Sequence, residues 1–176
     1  TTPLPQALLG FAAVVANDHL IVLGGYNNNG TQASAFSAPI DDNGRLGVWA
    51  SQPELPLPLV DLAAVAAHGA VYALGGTVSD SPLVVSDAIY RASVGADGSL
   101  GAWQELPARL PEPSQWHGAV VACERLFVLG GADTTYERNA VYQAPIYPDG
   151  SIGVWSEATP LPKTLITHQA LPARGG

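Results

Sequence analysis

The sequence predicts an all-β protein built from one four-stranded antiparallel unit that occurs three times. The first observation is a repeated phrase. "VYQAPIYPDGSIGVWSEATPLP" occupies residues 141–162, and close relatives of it occupy residues 35–56 and 89–111. The second observation is the spacing of proline and glycine, which leaves no uninterrupted window of helical periodicity. Repetition at about fifty residues is typical of repeat architectures.

Two independent sets of residues agree on the length of the repeated unit. Three Gly-Gly pairs are 51 and 55 residues apart, and three tryptophans are 54 and 52 residues apart. Both sets therefore mark the same three units. The residues are Gly24-Gly25, Gly75-Gly76 and Gly130-Gly131, together with Trp49, Trp103 and Trp155.

The first strand of each unit is predicted from a short run rich in Ala and Val. The runs "FAAVVAN", "LAAVAAH" and "HGAVVAC" begin at Phe11, Leu62 and His117, seven residues after the leucine of a Leu-Pro pair. Small apolar side chains without alternation suit a strand buried on both faces, so we interpret this run as the innermost strand.

The second strand follows after two or three residues, which is the length of a tight hairpin. Its sequences are "HLIVLGG", "AVYALGG" and "RLFVLGG". Because Gly weakens a strand, the terminal Gly-Gly indicates that the backbone bends there or is approached closely by another segment.

The third and fourth strands are joined by a second hairpin signal. An aromatic residue marks each third strand, and Asn-Gly or Asp-Gly then precedes a fourth strand that carries the Trp. The aromatic residues are Phe36, Tyr90 and Tyr142, and the turn pairs are Asn43-Gly44, Asp97-Gly98 and Asp149-Gly150.

Four hairpin-joined strands repeated at this length predict the blades of a β-propeller. We expect residues 1–176 to form a single propeller segment with complete blades at about 7–55, 58–108 and 113–160. Residues 161–176 are predicted to provide the first strand of a further blade. A β-sandwich could use similar strands, but it would not require a repeated sequence.

These features together resemble the kelch repeat: an apolar run, a Gly-Gly pair, an aromatic third strand, and a Trp before Leu-Pro. The turn "DGSLGAW" is similar to kelch-like repeats of bacterial proteins. The chain departs from the pattern at Phe36, where the family usually has Tyr, and before the first strands, where its common Arg is replaced by Leu8, Leu59, Ser114 and Leu165. The resemblance implies a propeller fold without implying one activity.

Composition excludes several classes of function. The formal charge is −8 and the only lysine is Lys163, so we expect no nucleic-acid partner. No apolar run approaches about 20 residues, so we expect no membrane insertion. A single cysteine, Cys123, excludes an internal disulfide. The low lysine content and the bacterial resemblance favour an extracellular or cell-surface location.

Three blades do not make a closed propeller, because propellers close with about four to eight. Open strand edges and apolar faces promote aggregation. We therefore expect either a fragment of a longer propeller or a half that pairs with a second copy to close the ring.

The resemblance places a ligand face on the loops that join the second and third strands and on those that join consecutive blades. These loops differ between the units while the strands stay alike. Aromatic residues there could cover an apolar or sugar-like surface, and polar ones could hydrogen-bond a partner. The alternative is that Trp116 packs between blades and that the Asn run is a solvated turn. The candidate residues are Tyr26, Asn27, Asn28, Trp116, Tyr136 and Arg138.

His117 and His168 occupy equivalent positions near the predicted central channel, and they complete the set of candidate binding residues. A structural role and a role in metal or acid/base chemistry are both open for them. No calcium loop, phosphate loop or nucleophile motif occurs, so we assign no catalytic residue, metal ligand or cofactor. The sequence favours a non-enzymatic binding or scaffold module for a protein or glycan. The alternative is a carbohydrate-active enzyme, oxidase- or epimerase-like, with a site over the channel.

Overall fold

The computed structural model describes residues 2–170, apart from the side chain of Asp80. This part of the chain contains no helix and forms short strands throughout, as the sequence predicts. In chain order they are β1 (Ala12–Ala16), β2 (His19–Leu23), β3 (Tyr26–Asn27), β4 (Gly30–Thr31), β5 (Ala35–Pro39), β6 (Ala50–Gln52), β7 (Ala63–Ala67), β8 (Ala70–Leu74), β9 (Thr77–Asp80), β10 (Leu83–Val85), β11 (Ile89–Ser93), β12 (Gln104–Glu105), β13 (Gly118–Ala122), β14 (Arg125–Leu129), β15 (Val141–Pro145) and β16 (Ser156–Glu157).

Twelve of these strands form three four-stranded antiparallel sheets of one topology. The first sheet has the order β1-β2-β5-β6, the second β7-β8-β11-β12 and the third β13-β14-β15-β16. The remaining strands form two small hairpins, β3-β4 and β9-β10, which lie between the second and third strands of the first two sheets. The predicted all-β fold of repeated four-stranded sheets is therefore confirmed.

Tight turns fix the first hairpin of each sheet. The β1-β2 turn has φ of 47° at Asn17 and 56° at Asp18, and the β13-β14 turn has φ of 49° at Cys123 and 57° at Glu124. Two successive left-handed residues match the right-handed twist of the flanking strands. Each turn therefore sets five antiparallel residue pairs between its strands.

The connection to the fourth strand differs in one detail from the prediction. Each Trp lies one residue before its fourth strand rather than within it. The Trp103 indole N–H donates to the Pro53 carbonyl at 2.9 Å, and that of Trp49 donates to the Thr2 carbonyl at 3.2 Å. Trp49 and Trp103 therefore tie their units to the segments that precede them, whereas the buried indole N–H of Trp155 has no partner among the described residues.

The first strands of the three sheets contact one another in sequence, β1 against β7 and β7 against β13. Strand β7 has a sheet on each side and buries Val65 to 4% exposure, whereas Val15 of β1 is 55% exposed. The predicted burial on both faces is therefore wrong for β1, because within residues 2–170 a sheet packs on only one of its faces.

Apolar side chains form two cores, each between successive sheets. The first core joins Ile21 and Leu23 of β2 to Val71 of β8, and the second joins Tyr72 and Leu74 of β8 to Leu126 of β14 and its neighbours. Alternate side chains of β8 enter opposite cores, because successive residues of a strand point to opposite faces. The middle sheet therefore links both cores.

The predicted first strand of a further unit extends into residues 171–176, which lie outside the described residues. The described part of that region, residues 161–170, is assigned no strand. It packs against the third sheet through Leu165, whose carbonyl accepts a hydrogen bond from the Gly131 N–H at 2.9 Å.

Candidate functional site: the cavity and the rim

The Gly-Gly pairs are the points at which one unit binds the next. The N–H of Gly25 donates to the Leu59 carbonyl at 2.8 Å, and the N–H of Gly76 donates to the Ser114 carbonyl at 2.8 Å. We call the contact between the first and second sheets the first interface, and the contact between the second and third sheets the second interface. An equivalent backbone hydrogen bond joins the two sheets at each interface.

Only glycine fits the first position of each pair. A Cβ on Gly24 would lie 2.3 Å from the Leu59 carbonyl oxygen, and a Cβ on Gly75 would lie 2.4 Å from that of Ser114. Both glycines also have φ near +60°, a conformation that L side chains rarely adopt. The close approach that the Gly-Gly pairs predict is therefore the contact between one sheet and the segment that begins the next unit.

Four equivalent residues, one at the start of each unit, line a cavity between the sheets. Gly10, Asp61, Trp116 and Thr167 have φ of 62°, 58°, 56° and 54°. The N–H of every member after Gly10 donates to the carbonyl of the preceding member, at 2.7 Å (Asp61 to Gly10), 3.0 Å (Trp116 to Asp61) and 2.9 Å (Thr167 to Trp116). We call this set the backbone ladder. A bulky or β-branched residue in this conformation is uncommon, so the ladder holds Trp116 and Thr167 where glycine would be the less strained residue.

The cavity has a volume of about 650 Å³ and lies where β1, β7 and β13 converge. Its walls are mostly Ala and Val from these strands, and the four residues of the backbone ladder also belong to its lining. The small side chains of the innermost strands leave this space open. The sequence identified the runs but gave no sign that a cavity of this size lies between them.

His117 lies in the second interface and also contributes to the cavity wall. It is 4% exposed, and neither ring nitrogen has a hydrogen-bond partner among the described residues. Burial, and secondarily the neighbouring His168, lowers the pKa of His117 to about 4. The imidazole is therefore neutral at pH 7.

His168 and Ser114 extend this polar group. Both ring nitrogens of His168 and the hydroxyl of Ser114 are buried without a partner in the described structure. A Cβ on Gly130 would lie 3.0 Å from Cε1 of His168, and a Cβ on Gly131 would lie 2.5 Å from the Ser114 hydroxyl. Sequence analysis did not include Ser114 in the site, although its place in the repeat, where Leu59 stands one unit earlier, was a usable signal.

We call the rim the surface formed by the loops between the second and third strands of the sheets and the segments that pair with them before the first strands. It carries the other predicted residues. Tyr26 pairs with Thr31 in the β3-β4 hairpin and with Leu9 of the preceding segment. The Asn27 side-chain oxygen accepts the N–H of Asn29 at 2.8 Å, and Asn28 is exposed. Tyr136 is 71% exposed on the third loop. The Asn run is thus an ordered hairpin turn.

Arg138 is already engaged within the rim. Its guanidinium forms ion pairs with Glu112 and Asp133, and the Tyr142 hydroxyl donates to Glu112 at 3.1 Å. Backbone N–H donors from Tyr136 and Thr135 lower the pKa of Asp133, with the contact to Arg138 acting in the same direction. Arg138 therefore holds the third loop in place from one side.

The structure sorts the predicted residues into two groups. Trp116, His117 and His168 line the cavity, whereas the rest lie on the rim. Leu83 and Val84, two exposed apolar residues of the β9-β10 hairpin, were not among the predicted residues. Within residues 2–170, no group of three or more His, Cys, Asp or Glu side chains could hold a metal ion, and no helix has the length and apolarity to span a bilayer.

Comparison with known proteins does not assign the site. The chain matches no protein-family model, and no curated protein matches it.

Proposed function

We propose that this chain is a segment of a kelch-type β-propeller and that it acts as a non-enzymatic binding module, holding a protein or glycan partner on its rim. Three sheets of one strand order, converging by their first strands on one cavity, support the propeller. The repeated Gly-Gly contact supports it as well, because it stacks each unit on the next in the same way.

One observation supports rim binding most directly: the rim exposes apolar and aromatic side chains on loops that are held rigidly. Leu9 and Tyr26 are exposed, yet their backbones exchange two hydrogen bonds, at 3.0 Å and 2.8 Å. Exposed aromatic residues on an ordered backbone lose little conformational entropy on binding, which favours affinity.

The three rim loops also differ in construction, which suits specific recognition. The first loop is the β3-β4 hairpin, whose strands have two residues each, and the second is the longer hairpin β9-β10. The third is held by one bridge between Ala132 and Glu137 and by the ion pairs of Arg138. Varied loops on a repeated scaffold are a common basis for specificity.

The experiment compares the rim with the opposite edge of the sheets. Ligands would be selected on the wild-type chain from a peptide phage library and from a glycan array. We expect them to lose binding to the double variant Tyr26→Ser/Tyr136→Ser, because it removes the exposed aromatic contacts. The matched control is Val154→Ser, since Val154 is 90% exposed on the opposite edge.

Ligands that bind the rim double variant as well as wild type, or that depend on Val154, would overturn the proposal. Circular dichroism and thermal melting of each variant establish whether the fold is intact. We expect it to be, because Tyr136 and Val154 are largely in solvent and Tyr26, at 38% exposure, lies on a short surface hairpin.

Further units, or a second copy, would complete the ring. Leu59 is 0% exposed within the first interface, whereas its equivalent Leu8 is only half-buried where no sheet precedes the first one in the described structure. Light scattering on a sizing column across a dilution series tests self-closure: a dimer that persists on dilution supports it, and a stable monomer contradicts it.

The enzymatic alternative depends on His117 and His168. Substituting both by Gln removes the proton acceptors and keeps a polar side chain of similar reach. Loss of carbohydrate oxidation or epimerisation with an intact fold would favour the enzyme, and unchanged binding of the selected ligands by the same variant would favour the binding module.

A further inference from the structure

We propose that strand β10 binds an extended segment of a partner protein by strand addition, in which the segment pairs its backbone along the free edge of β10. The proposal rests on the proposed function, since the β9-β10 hairpin is one of the rim loops. It deepens that function by naming the class of partner, which is a polypeptide strand with apolar side chains and not a glycan.

Strand β10 is an edge strand in the described structure. The β9-β10 hairpin forms a two-stranded sheet of its own. The outer side of β9 is covered by the preceding linker, because Val60 and Thr77 exchange backbone hydrogen bonds at 3.0 Å and 2.7 Å. No strand within residues 2–170 pairs with the outer side of β10. One edge of this small sheet is therefore covered and the other is open.

The register of the hairpin identifies the backbone groups that face the open edge. Leu83 pairs with Asp80 across a loop of two residues, and Val84 pairs with Ser79. The pair that closes a two-residue loop is hydrogen-bonded, and hydrogen-bonded and non-hydrogen-bonded pairs alternate along an antiparallel ladder. The N–H and the carbonyl of Val84 therefore point away from β9. Neither group makes a backbone hydrogen bond outside the hairpin to another described residue.

The side chains of β10 favour an apolar partner. Leu83 is 40% exposed and Val84 is 45% exposed. Because successive side chains of a strand point to opposite faces, these two residues present apolar surface on both faces of the hairpin. An added strand would pack its own alternate side chains against them as cross-strand neighbours. The partner segment should therefore be rich in β-branched, Leu or aromatic residues.

The outer edges of the three large sheets differ from β10 in their chemistry. Those edges are the fourth strands, whose residues are Ala50-Ser51-Gln52, Gln104-Glu105 and Ser156-Glu157. Polar and charged residues on an edge strand discourage pairing with another chain. In contrast, β10 reads Leu-Val-Val, and residues 77–86 contain no Lys or Arg. The chain therefore protects its other outer edges and leaves this one open to a strand.

The base of the hairpin is fixed on the scaffold. Val78 packs against the first core, and the buried Thr77 hydroxyl donates to the Gln115 side-chain oxygen at 2.5 Å. The N–H of Ser86 donates to the Gly76 carbonyl at 2.8 Å, directly after β10. A strand edge that is already extended and held in place loses little conformational entropy when another strand pairs with it.

Peptide selection tests the edge directly. A phage-displayed library of random peptides would be selected on the wild-type chain, with Val84→Pro as the target for counter-selection. Proline removes the outward N–H, and an edge strand tolerates proline where that group faces solvent. We expect the selected peptides to bind Val84→Pro at least about tenfold more weakly, because the variant loses a backbone hydrogen bond and the added strand loses its register. The matched control Val84→Thr keeps the N–H and the β-branched shape, so it should weaken binding about threefold or less.

A second measurement uses the wild-type chain alone. Amide hydrogen exchange, followed by NMR, should be fast at the Val84 N–H of the free chain, since this group faces solvent. A bound peptide should slow the exchange at least about tenfold, because the N–H then donates to the peptide backbone. The amide of Glu157, on the edge of the third sheet, should not change.

Three results would overturn the proposal: no peptide that survives the counter-selection, a bound peptide that leaves the Val84 N–H exchanging as in the free chain, or a dimer that Val84→Pro dissociates in light scattering. The dimer would mean that a second copy of the chain occupies the edge.

Failure of the rim function gives a different result. Peptides selected without counter-selection that lose binding to Tyr26→Ser/Tyr136→Ser, yet bind Val84→Pro as they bind wild type, would keep the rim function and reject strand addition. Ligands that depend on Val154, on the opposite edge, would reject both.

Discussion

The first and second interfaces use the same backbone contact and place different side chains on it. In the first, Leu59 and Leu62 pack on the glycine pair of the first sheet; in the second, Ser114 and His117 take the equivalent places. The Gly N–H to carbonyl distance is 2.8 Å in both. The glycine and the carbonyl thus specify how sheets stack, and the side chains beside them are free to change chemistry.

The second interface is the costlier of the two. All polar atoms of the Ser114 and His117 side chains are buried without partners among the described residues, whereas the leucines of the first interface have none to satisfy. An unsatisfied buried polar group costs about 1–3 kcal/mol. By this measure, the side chains of the second interface contribute less to stability than those of the first.

The largest loss of stability should come from placing a side chain between the Gly-Gly pair and the carbonyl of the next unit. Gly75→Ala places a methyl group 2.4 Å from the Ser114 carbonyl oxygen at a φ of +58°. We expect a loss of about 3 kcal/mol or more in the free energy of unfolding, measured by urea titration, because backbone must move to relieve the clash.

Gly69→Ala is the matched control, since Gly69 has φ of +67° and no atom within 4 Å of its Cβ position. It isolates the conformational cost of a left-handed alanine, about 1 kcal/mol. Equal losses for the two variants would show that the inter-sheet approach contributes nothing.

The next effect should come from making the second interface apolar. His117→Leu reproduces Leu62 and removes two unpartnered nitrogens, so we expect it to raise the free energy of unfolding by about 1–2 kcal/mol at pH 7. A decrease would mean that the imidazole is satisfied by bound water or ligand.

The same variant should change the pH dependence of stability. Because burial lowers the pKa of His117 from 6.5 to about 4, the unfolded chain binds a proton between those values that the folded chain does not. Stability from this residue is therefore complete above about pH 6.5 and falls as the pH falls toward 4. Between pH 7 and pH 5, wild type should lose about 2 kcal/mol more than His117→Leu. Parallel pH profiles for the two proteins would contradict this assignment.

The smallest effect should come from Ser114→Ala. The substitution removes a buried hydroxyl that has no hydrogen-bond partner within residues 2–170, and it leaves the carbonyl that accepts the Gly76 N–H. We expect the free energy of unfolding, measured by thermal denaturation, to rise by about 1 kcal/mol or less. Leu59→Ala, at the equivalent place in the first interface, should instead lose about 2–4 kcal/mol, since it deletes a fully buried side chain.

The repeat made the fold accessible from sequence. Turn glycines such as Gly44 and Gly98 stand where local backbone geometry requires them, and short apolar runs between turns define the strands by local rules. The position of Trp103 just outside its strand was not predictable, because the hydrogen bond of its indole to the Pro53 carbonyl spans fifty residues. Contacts of that range leave no local pattern.

The candidate site, too, was predictable only where a residue's setting depends on its local position in the chain. Tyr136 on an exposed loop was identified from its place between strands, and the structure leaves it exposed. The engagement of Arg138 by Glu112 and Asp133 was not foreseen, since Glu112 belongs to the preceding linker. Loop position predicts exposure, but it does not predict which loops meet.

The sequence by itself determined the strands, their hairpins and the repetition of one antiparallel sheet, because turn chemistry and strand periodicity act between residues close in the chain. Only the tertiary structure decided how the sheets face each other, which residues form the backbone ladder, and that His117 is buried without a partner. These depend on units about fifty residues apart coming within hydrogen-bond distance, as Trp116 does with Asp61 at 3.0 Å. Burial and desolvation arise only when such segments meet.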